Sequence, residues 1–311
     1  MKTHILLLYI ICSVLTIGCK ETKKRESQGV QMEKQTFRLP EIPNTLTTPQ
    51  RRAKYLVEHY WDHFAFTDTS QIQSLDSIEP ILADFLGVLP HTSYPIACSG
   101  IKKLMCKAES NTSIYSFLSK LAEKYLYESH SPIYNEELYL PFLESIVASK
   151  KVDDTYKLTY RYQLSMVRKN RPDSIATNFV YTLASGKSST LAGLSSEYTL
   201  LFFNNPDCEL CEEIREQIIA SPVLSSLQNQ KKNNKLIILS VYTEDEFGSW
   251  RKQLWKYPSN WICGYDKKQK IRNSELYDLR VIPSIYLLNR EKRVLLKNPS
   301  FAVLENYFEK R

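Results

Sequence analysis

The chain has 311 residues, 43% of them hydrophobic, and a formal net charge of +7 at pH 7. Its positive charges are spread along the sequence instead of forming a basic stripe, which argues against a nucleic-acid-binding module. Its eight glycines argue against glycine-rich phosphate loops and against an all-β fold. The length favours two globular domains, and we expect no nucleic-acid partner.

The first residues, MKTHILLLYIICSVLTIGC, carry one lysine, then an apolar run from Ile5 to Ile17, then Gly18 and Cys19. A basic start, a short apolar core and a small residue at the cut are typical of a secretory signal. The run is shorter than the ~20 residues of a membrane-spanning helix. Residues 1–18 are therefore predicted to be a signal peptide.

The residues before Cys19 resemble a bacterial lipobox, because Leu15 and Gly18 are in place, although Leu15 lies four residues before the cysteine instead of the usual three. The resemblance implies lipidation of Cys19, whose acyl chains would anchor the protein to a membrane. Residues 19–47 are polar and charged and would form a lipidated tether. An ordinary signal peptide with a coincidental cysteine, or a segment kept as a short anchor, are the alternatives. A secretory start predicts a location in the bacterial cell envelope, on the periplasmic or surface face, where disulfides persist.

Residues 48–171 have the pattern of an all-α domain. Thr48 and Pro49 are typical of an N-cap and a first helical position, and they predict a helix that continues to about Phe64. Apolar residues recur at helical spacing further along the chain. They predict helices at 78–89, 101–108, 112–127, 135–148 and 154–169. This domain shows no catalytic pattern, and we expect a scaffold or a partner-binding module.

Two residue pairs in this domain allow more than one interpretation. His59 and His63 are four apart, as in some metal sites, but no third ligand is evident, so packed or surface histidines are favoured. If both lie in one helix, Cys98 and Cys106 would have Cα atoms about 12 Å apart, beyond the roughly 7 Å limit of a disulfide. They could pair only if the helix starts after Gly100. Two separate, largely buried thiols are therefore favoured over a bridge.

Strand and helix patterns alternate after Pro172. A hairpin with Gly186 in its turn precedes two continuous apolar runs that predict buried strands. The predicted elements are a hairpin at 176–191, strands at 198–204 and 236–242, helices at 209–220, 244–257 and 273–280, a hairpin at 284–297 and a closing helix at 301–310. This order predicts an α/β domain with a mixed sheet.

The stretch FFNNPDCELCEE places Cys208 and Cys211 directly after a buried strand and at the start of a helix. Far downstream, Ile282 and Pro283 open the last hairpin. Together these features resemble the thioredoxin fold, in its envelope branch of thiol-disulfide oxidoreductases, over residues 172–311. The whole chain resembles bacterial lipoproteins in which a helical module of unassigned function precedes a thioredoxin-like domain.

The resemblance implies a function and its residues. Cys208 would attack a substrate disulfide as a thiolate favoured by the helix start, and Cys211 would resolve the mixed disulfide. Pro283 would be a cis-proline, and the backbone of Ile282 would pair with the substrate. The expected partners are protein thiols and disulfides and an unidentified envelope electron donor, with no dissociable cofactor and no metal. We expect a membrane-tethered oxidoreductase that reduces protein disulfides.

The residues around the cysteines depart from the family pattern. Asp207 stands where an aromatic residue is usual, and glutamate and leucine separate the cysteines. The surrounding carboxylates are those of Asp207, Glu209, Glu212 and Glu213. Negative charge disfavours a thiolate, so we predict a weakly oxidising pair with a potential at least as negative as that of cytosolic thioredoxins.

Three other interpretations of the cysteine pair are weaker. A zinc site would need two further cysteine or histidine ligands, and no second pair is evident in this domain. A permanent structural disulfide is an alternative, and so is a non-catalytic thioredoxin-like domain kept for its peptide-binding groove. Cys263 is interpreted as a small buried apolar residue.

Overall fold

The computed structural model describes residues 37–67, 76–229 and 235–310. The predicted signal peptide, Cys19 and the tether up to residue 36 lie outside this range. Within it, no helix has both the length and the apolar character needed to cross a membrane. Residues Phe37–Arg311 group into one compact unit, and the domain boundary between residues 171 and 172 stays a prediction.

The first part of the described chain is helical, as predicted. The Thr48 hydroxyl accepts a hydrogen bond from the N–H of Arg51 and caps the first helix. The helices are α1 (Pro49–His59), α2 (Ile78–Val88), α3 (Tyr94–Ala108), α4 (Thr112–Leu126), α5 (Glu136–Ala148) and α6 (Asp154–Val167). The prediction that α1 reaches Phe64 is wrong, because the chain turns after His59 and buries Tyr60 and Trp61.

Helix α3 resolves one of the two ambiguous pairs. It begins at Tyr94, with a proline in its first turn, so Cys98 and Cys106 lie in the same helix. Both are free thiols, which confirms two separate cysteines. The predicted burial of Cys106 is wrong: its side chain is exposed, while the neighbouring Leu104 and Met105 face the core.

The histidine pair shows ordinary surface contacts. The His59 ring Nδ1 lies 2.8 Å from Asp62 Oδ2, and the side chain of His63 is exposed. Among the residues that the structure describes, no three His, Cys, Asp or Glu side chains converge as metal ligands.

The second part of the chain forms a mixed sheet, as predicted, and the sheet has seven strands within the described residues. The strands are β1 (Val180–Leu183), β2 (Ser188–Thr190), β3 (Tyr198–Phe203), β4 (Leu236–Tyr242), β5 (Ile262–Tyr265), β6 (Ser284–Asn289) and β7 (Val294–Lys297). They are arranged in the order β2-β1-β5-β4-β3-β6-β7. β4 is parallel to both β3 and β5, and the other neighbouring strands are antiparallel. The buried runs therefore occupy the centre of the sheet, where both faces are covered.

Helices cover this sheet on both faces. Their bounds agree with the predicted helices less closely than the strands do. The helices are α7 (Glu209–Ala220), α8 (Pro222–Gln228), α9 (Phe247–Lys252), α10 (Lys270–Asn273) and α11 (Phe301–Glu309). The predicted helix at 244–257 is interrupted after Lys252 and continues as a short 3-10 turn, Leu254–Lys256. As a result Trp250 is buried, whereas Trp255 is 79% exposed. The predicted helix at 273–280 is wrong, because α10 ends at Asn273 and irregular chain leads to β6.

A buried ion pair joins the helices to the sheet. Lys297, in β7, places its Nζ 2.6 Å from Glu136 Oε2 of α5, and both side chains are buried. The same ammonium donates to the carbonyl oxygens of Val167, at 3.3 Å, and Lys169, at 3.0 Å, where α6 ends. Positive charge is stabilising at a helix C-terminus. Lys297 thus fixes two helices against the edge of the sheet.

Candidate active site around Cys208 and Cys211

Cys208 caps the helix that follows the central strand β3. Its backbone is extended, and its Sγ accepts a hydrogen bond from the N–H of Cys211 at 3.2 Å. The first N–H groups of a helix lack partners within the helix and carry partial positive charge. Because the Cys208 sulfur takes one of these donors and remains partly exposed, this position suits a thiolate nucleophile.

Cys211 lies one turn later and is 1% exposed. Burial raises the pKa of the Cys211 thiol well above its usual range, and hydrogen bonding to Cys208 adds to the effect. A backbone hydrogen bond at Asn205 and the charge of Arg215 act in the opposite direction. The two sulfurs therefore differ in access: that of Cys208 is partly exposed, and that of Cys211 is buried.

The Ile282–Pro283 peptide bond is cis, as inferred from the sequence. The Cys208 thiol donates to the Ile282 carbonyl oxygen, with 3.8 Å between the two heavy atoms. Strand register explains this approach, because β3 and β6 pair antiparallel with Phe203 opposite Ser284. The structure thus brings Cys208, Cys211, Ile282 and Pro283 together, while their roles stay predictions. Cys19 lies outside the described residues.

Cations that the sequence reasoning missed lie among the carboxylates. Glu212 Oε1 is 3.1 Å from an Arg215 guanidinium nitrogen, and its Oε2 is 3.7 Å from Lys256 Nζ. Spacing along α7 could have revealed Arg215, since residues three apart are neighbours on a helix. Lys256 is far from Glu212 in the sequence, so no helical spacing could indicate their contact. The carboxylate of Glu212 is therefore largely compensated.

Asp207 is held by the segment that carries α9. Its Oδ1 accepts from Gln253 Nε2 at 2.6 Å, and its Oδ2 accepts from the Ser249 hydroxyl at 3.4 Å. Lys256 Nζ also donates to the carbonyl oxygen of Pro206 at 3.1 Å. These contacts fix the loop in front of the cysteines, and they turn the Asp207 charge toward side-chain donors.

A buried polar network lies behind the cysteine pair. The Arg215 side chain is buried, with its guanidinium carbon 5.3 Å from the centre of the Tyr257 ring. The Tyr257 hydroxyl donates to Asn204 Oδ1 at 2.5 Å, and Asn204 Nδ2 donates to the Ser240 hydroxyl at 2.8 Å. A buried cation is therefore held on the inner side of α7, four residues after Cys211.

Cys263 is separate from the pair in sequence and lies in β5, opposite Ser240 of β4. It packs against the apolar cluster between the sheet and its helices. Burial raises the pKa of the Cys263 thiol to about 12. This environment fits the predicted small apolar side chain, although Cys263 is half-buried and not fully buried as predicted.

Known proteins resemble the chain over most of its length and over its first part. Residues 18–170 match a family described as a domain of unknown function, DUF5106. A crystal structure of a thioredoxin-like protein from Bacteroides caccae is 40% identical, with a TM-score of 0.85, and the match covers 89% of this chain and 99% of that chain. No functionally curated protein matches the chain.

Two further solved structures match the second half alone. The C-terminal domain of an uncharacterised protein from Bacteroides fragilis is 44% identical over 45% of this chain and 98% of that chain, with a TM-score of 0.43. The thioredoxin domain of a thiol-disulfide oxidoreductase from Bacteroides vulgatus is 24% identical over 45% of this chain and 96% of that chain, with a TM-score of 0.38.

Proposed function

The chain belongs to the thioredoxin-like proteins, and from that premise we propose that it is a thiol-disulfide oxidoreductase that reduces protein disulfides. The observation that carries the proposal is the position of Cys208. Its sulfur caps α7 and lies 3.8 Å from the Ile282 carbonyl oxygen, while Cys211 is buried one turn away. An accessible thiol with a second thiol behind it is what disulfide exchange requires.

The reaction has two exchange steps. The Cys208 thiolate attacks one sulfur of the substrate disulfide, that disulfide bond breaks, and the leaving thiolate takes a proton from water. A mixed disulfide now joins Cys208 to the substrate. Cys211 then attacks the Cys208 sulfur as a thiolate, and the bond between Cys208 and the substrate breaks as the Cys208–Cys211 disulfide forms. The proton lost by Cys211 passes through water to the departing substrate sulfur, which leaves as the second thiol. Two electrons have passed from the protein to the substrate.

The oxidised pair must be reduced before the next turnover. A dithiol donor in the envelope would supply two electrons and two protons by the same exchange chemistry, and no dissociable cofactor takes part. In a purified system, dithiothreitol serves as this donor.

We further propose that the protein acts in the bacterial cell envelope, anchored through lipid on Cys19. The support is the sequence alone: a short apolar run that ends on Gly18 and Cys19 and a polar stretch after it. Incorporation of radiolabelled palmitate tests this placement. Label should enter the wild type and be lost in Cys19→Ala, and equal labelling of both would overturn it.

Reduction of insulin by the purified chain, with dithiothreitol as donor, tests the proposed activity. The wild type should accelerate reduction above the rate with dithiothreitol alone, and Cys208→Ser should remove the acceleration. If the wild type gives no acceleration, the proposal is wrong, and a peptide-binding role without turnover replaces it.

A further inference from the structure

A cleft of about 610 Å³ opens between the two parts of the molecule, beside the cysteine pair. One wall is the segment of residues 127–137, which comprises the connection from α4 to α5 and the first two residues of α5. The opposite wall includes Leu210, which lies between the cysteines, and Pro283, the cis-proline. The cleft is therefore continuous with the candidate active site, and its second wall comes from the helical part of the chain.

The charged side chains that line the cleft are already paired. The ion pairs, with the distance from carboxylate oxygen to cationic nitrogen, are Glu136 Oε2 with Lys297 Nζ at 2.6 Å, Asp278 Oδ2 with Arg280 Nε at 3.0 Å, and Glu137 Oε2 with Arg171 Nη2 at 2.6 Å. Arg280 also lies 3.5 Å from the ring centre of Tyr127. Small polar ligands are usually held by a few convergent polar groups. Paired charges of this kind are poorly suited to that task.

Several apolar side chains that line the cleft, in contrast, are exposed to solvent. Leu210, Val281 and Val303 line the cleft and are 44%, 37% and 50% exposed. Four prolines also line it, and proline has no backbone donor; they are Pro132, Pro172, Pro283 and Pro299. Such walls suit apolar side chains that need no hydrogen-bond partner.

We propose that this cleft receives apolar side chains of an extended polypeptide whose disulfide reacts at Cys208, so that the helical part of the chain selects substrates. The inference rests on the proposed function, because the cleft's continuity with Cys208 identifies its occupant. A polypeptide held by Ile282 next to Cys208 would continue past Leu210 and Pro283 into the cleft. The segment 127–137 would then contact the substrate beyond its disulfide.

Two variants place a charge on opposite walls of the cleft. Val303→Asp changes α11, and His130→Asp changes the exposed His130 in the segment between α4 and α5. Their matched controls are Leu158→Asp and His91→Asp, whose side chains are also exposed but do not line the cleft. Both test sites lie at the surface, so the changes should not disturb the core.

The measurement is the ratio of kcat/KM for insulin to kcat/KM for bis(2-hydroxyethyl) disulfide, which is too small to reach both walls. Each cleft variant should lower this ratio about five- to tenfold, which corresponds to the loss of one good contact. The control variants should keep the wild-type ratio. An unchanged ratio in both cleft variants, or an equal fall in the controls, would overturn the inference.

A second measurement identifies the occupant. Insulin B chain with alkylated cysteines cannot react, but it should compete with insulin for the wild type and compete less with Val303→Asp. If it does not inhibit the wild type, a polypeptide occupant is wrong. Failure of the proposed function would look different, because the wild type would then reduce neither disulfide.

Discussion

The helical part of the chain and the thioredoxin-like part use polar side chains for different purposes. In the helical part, Asp62 Oδ1 lies 2.8 Å from both Lys103 Nζ and Lys107 Nζ, and these pairs join the end of α1 to α3 at the surface. In the thioredoxin-like part, Arg215 is buried beside a buried thiol at Cys211. Surface pairs contribute little stability, and a buried cation costs stability unless it is paired.

This contrast indicates where chemistry is located. Groups that are costly to bury occur behind Cys208, as is common at functional sites, and again in the ion pair of Glu136 with Lys297, where the helices meet the sheet. The helical part instead supplies one wall of the cleft, at residues 127–137. It is attached to the sheet by the ion pair of Glu136 with Lys297. The predictions below test this division, beginning with the largest expected effect.

Loss of the nucleophile should affect activity alone. Cys208→Ser is expected to lower insulin reduction by about 100-fold or more, as removal of a nucleophile usually does. Cys106→Ser, in the helical part, should retain activity within about twofold. If the two variants lose activity equally, the division between the two parts is wrong.

Loss of the buried lysine at the junction should affect stability. Lys297→Met leaves Glu136 buried without its 2.6 Å partner, so the free energy of unfolding should fall by about 3–5 kcal/mol in urea titrations. Lys187→Met, in the exposed hairpin turn, should change it by less than about 0.5 kcal/mol. Combining Lys297→Met with Glu136→Leu should recover more than half of the loss. A Lys297→Met variant as stable as its control would show that the two parts are not joined here.

Loss of the buried arginine should shift a titration. Burial raises the pKa of Cys211 and the charge of Arg215 opposes that rise, so Arg215→Met should move the titration to still higher pH. We therefore expect less Cys211 thiolate at a given pH than in the wild type. The check is the pH dependence of Cys211 alkylation in a Cys208→Ser background.

Two variants control this measurement. Arg215→Lys keeps the positive charge and should keep the titration close to that of the wild type. Arg272→Met removes a more exposed arginine and should leave the titration unchanged. A shift toward lower pH in Arg215→Met would contradict the electrostatic role of Arg215.

The smallest expected effect concerns the remaining carboxylates. Removing negative charge favours the thiolate and therefore the reduced pair, so Glu209→Gln with Glu213→Gln should make the potential less negative. The change should stay under about 30 mV, a factor of ten in the equilibrium constant, because Glu209 and Glu213 are exposed. Glu128→Gln, in the helical part, is the matched control.

The reduction potential of the wild-type cysteine pair tests the prediction, made from the sequence, that the pair is weakly oxidising. We expect a potential at or below about −270 mV, the value typical of thioredoxin. The negative charge of Glu212 is largely neutralised by Arg215 and Lys256. The expected negative potential therefore depends on the other three carboxylates. A strongly oxidising potential would show that those carboxylates do not govern the pair.

The sequence predicted the central elements well, because their signals are local. The continuous apolar runs of β3 and β4 and the helix after Cys208 have ends within one residue of the prediction. Strand β5 was missed because its four residues, Ile262–Tyr265, include a cysteine and a glycine and form no apolar run. The break after Lys252 was missed because Trp250 and Trp255 suggested one amphipathic helix, although only Trp250 is buried.

The site was predictable where neighbours in sequence are neighbours in space. Cys208 and Cys211 lie within one turn of each other at the start of one helix. The positions of Ile282 and Pro283 in the site were predicted from the family resemblance. The contact between Lys256 and Glu212 and the cleft wall at residues 127–137 depend on tertiary packing. No short-range pattern encodes either of them.

We have proposed that Cys208 and Cys211 form a working redox pair. The most direct measurement mixes reduced protein with an excess of insulin, without other reductant, and locates the product disulfide by peptide mass mapping. We expect the protein to lose two hydrogen atoms and a disulfide to join Cys208 to Cys211. A protein that stays fully reduced, or a new disulfide that involves Cys98, Cys106 or Cys263 instead, would contradict it.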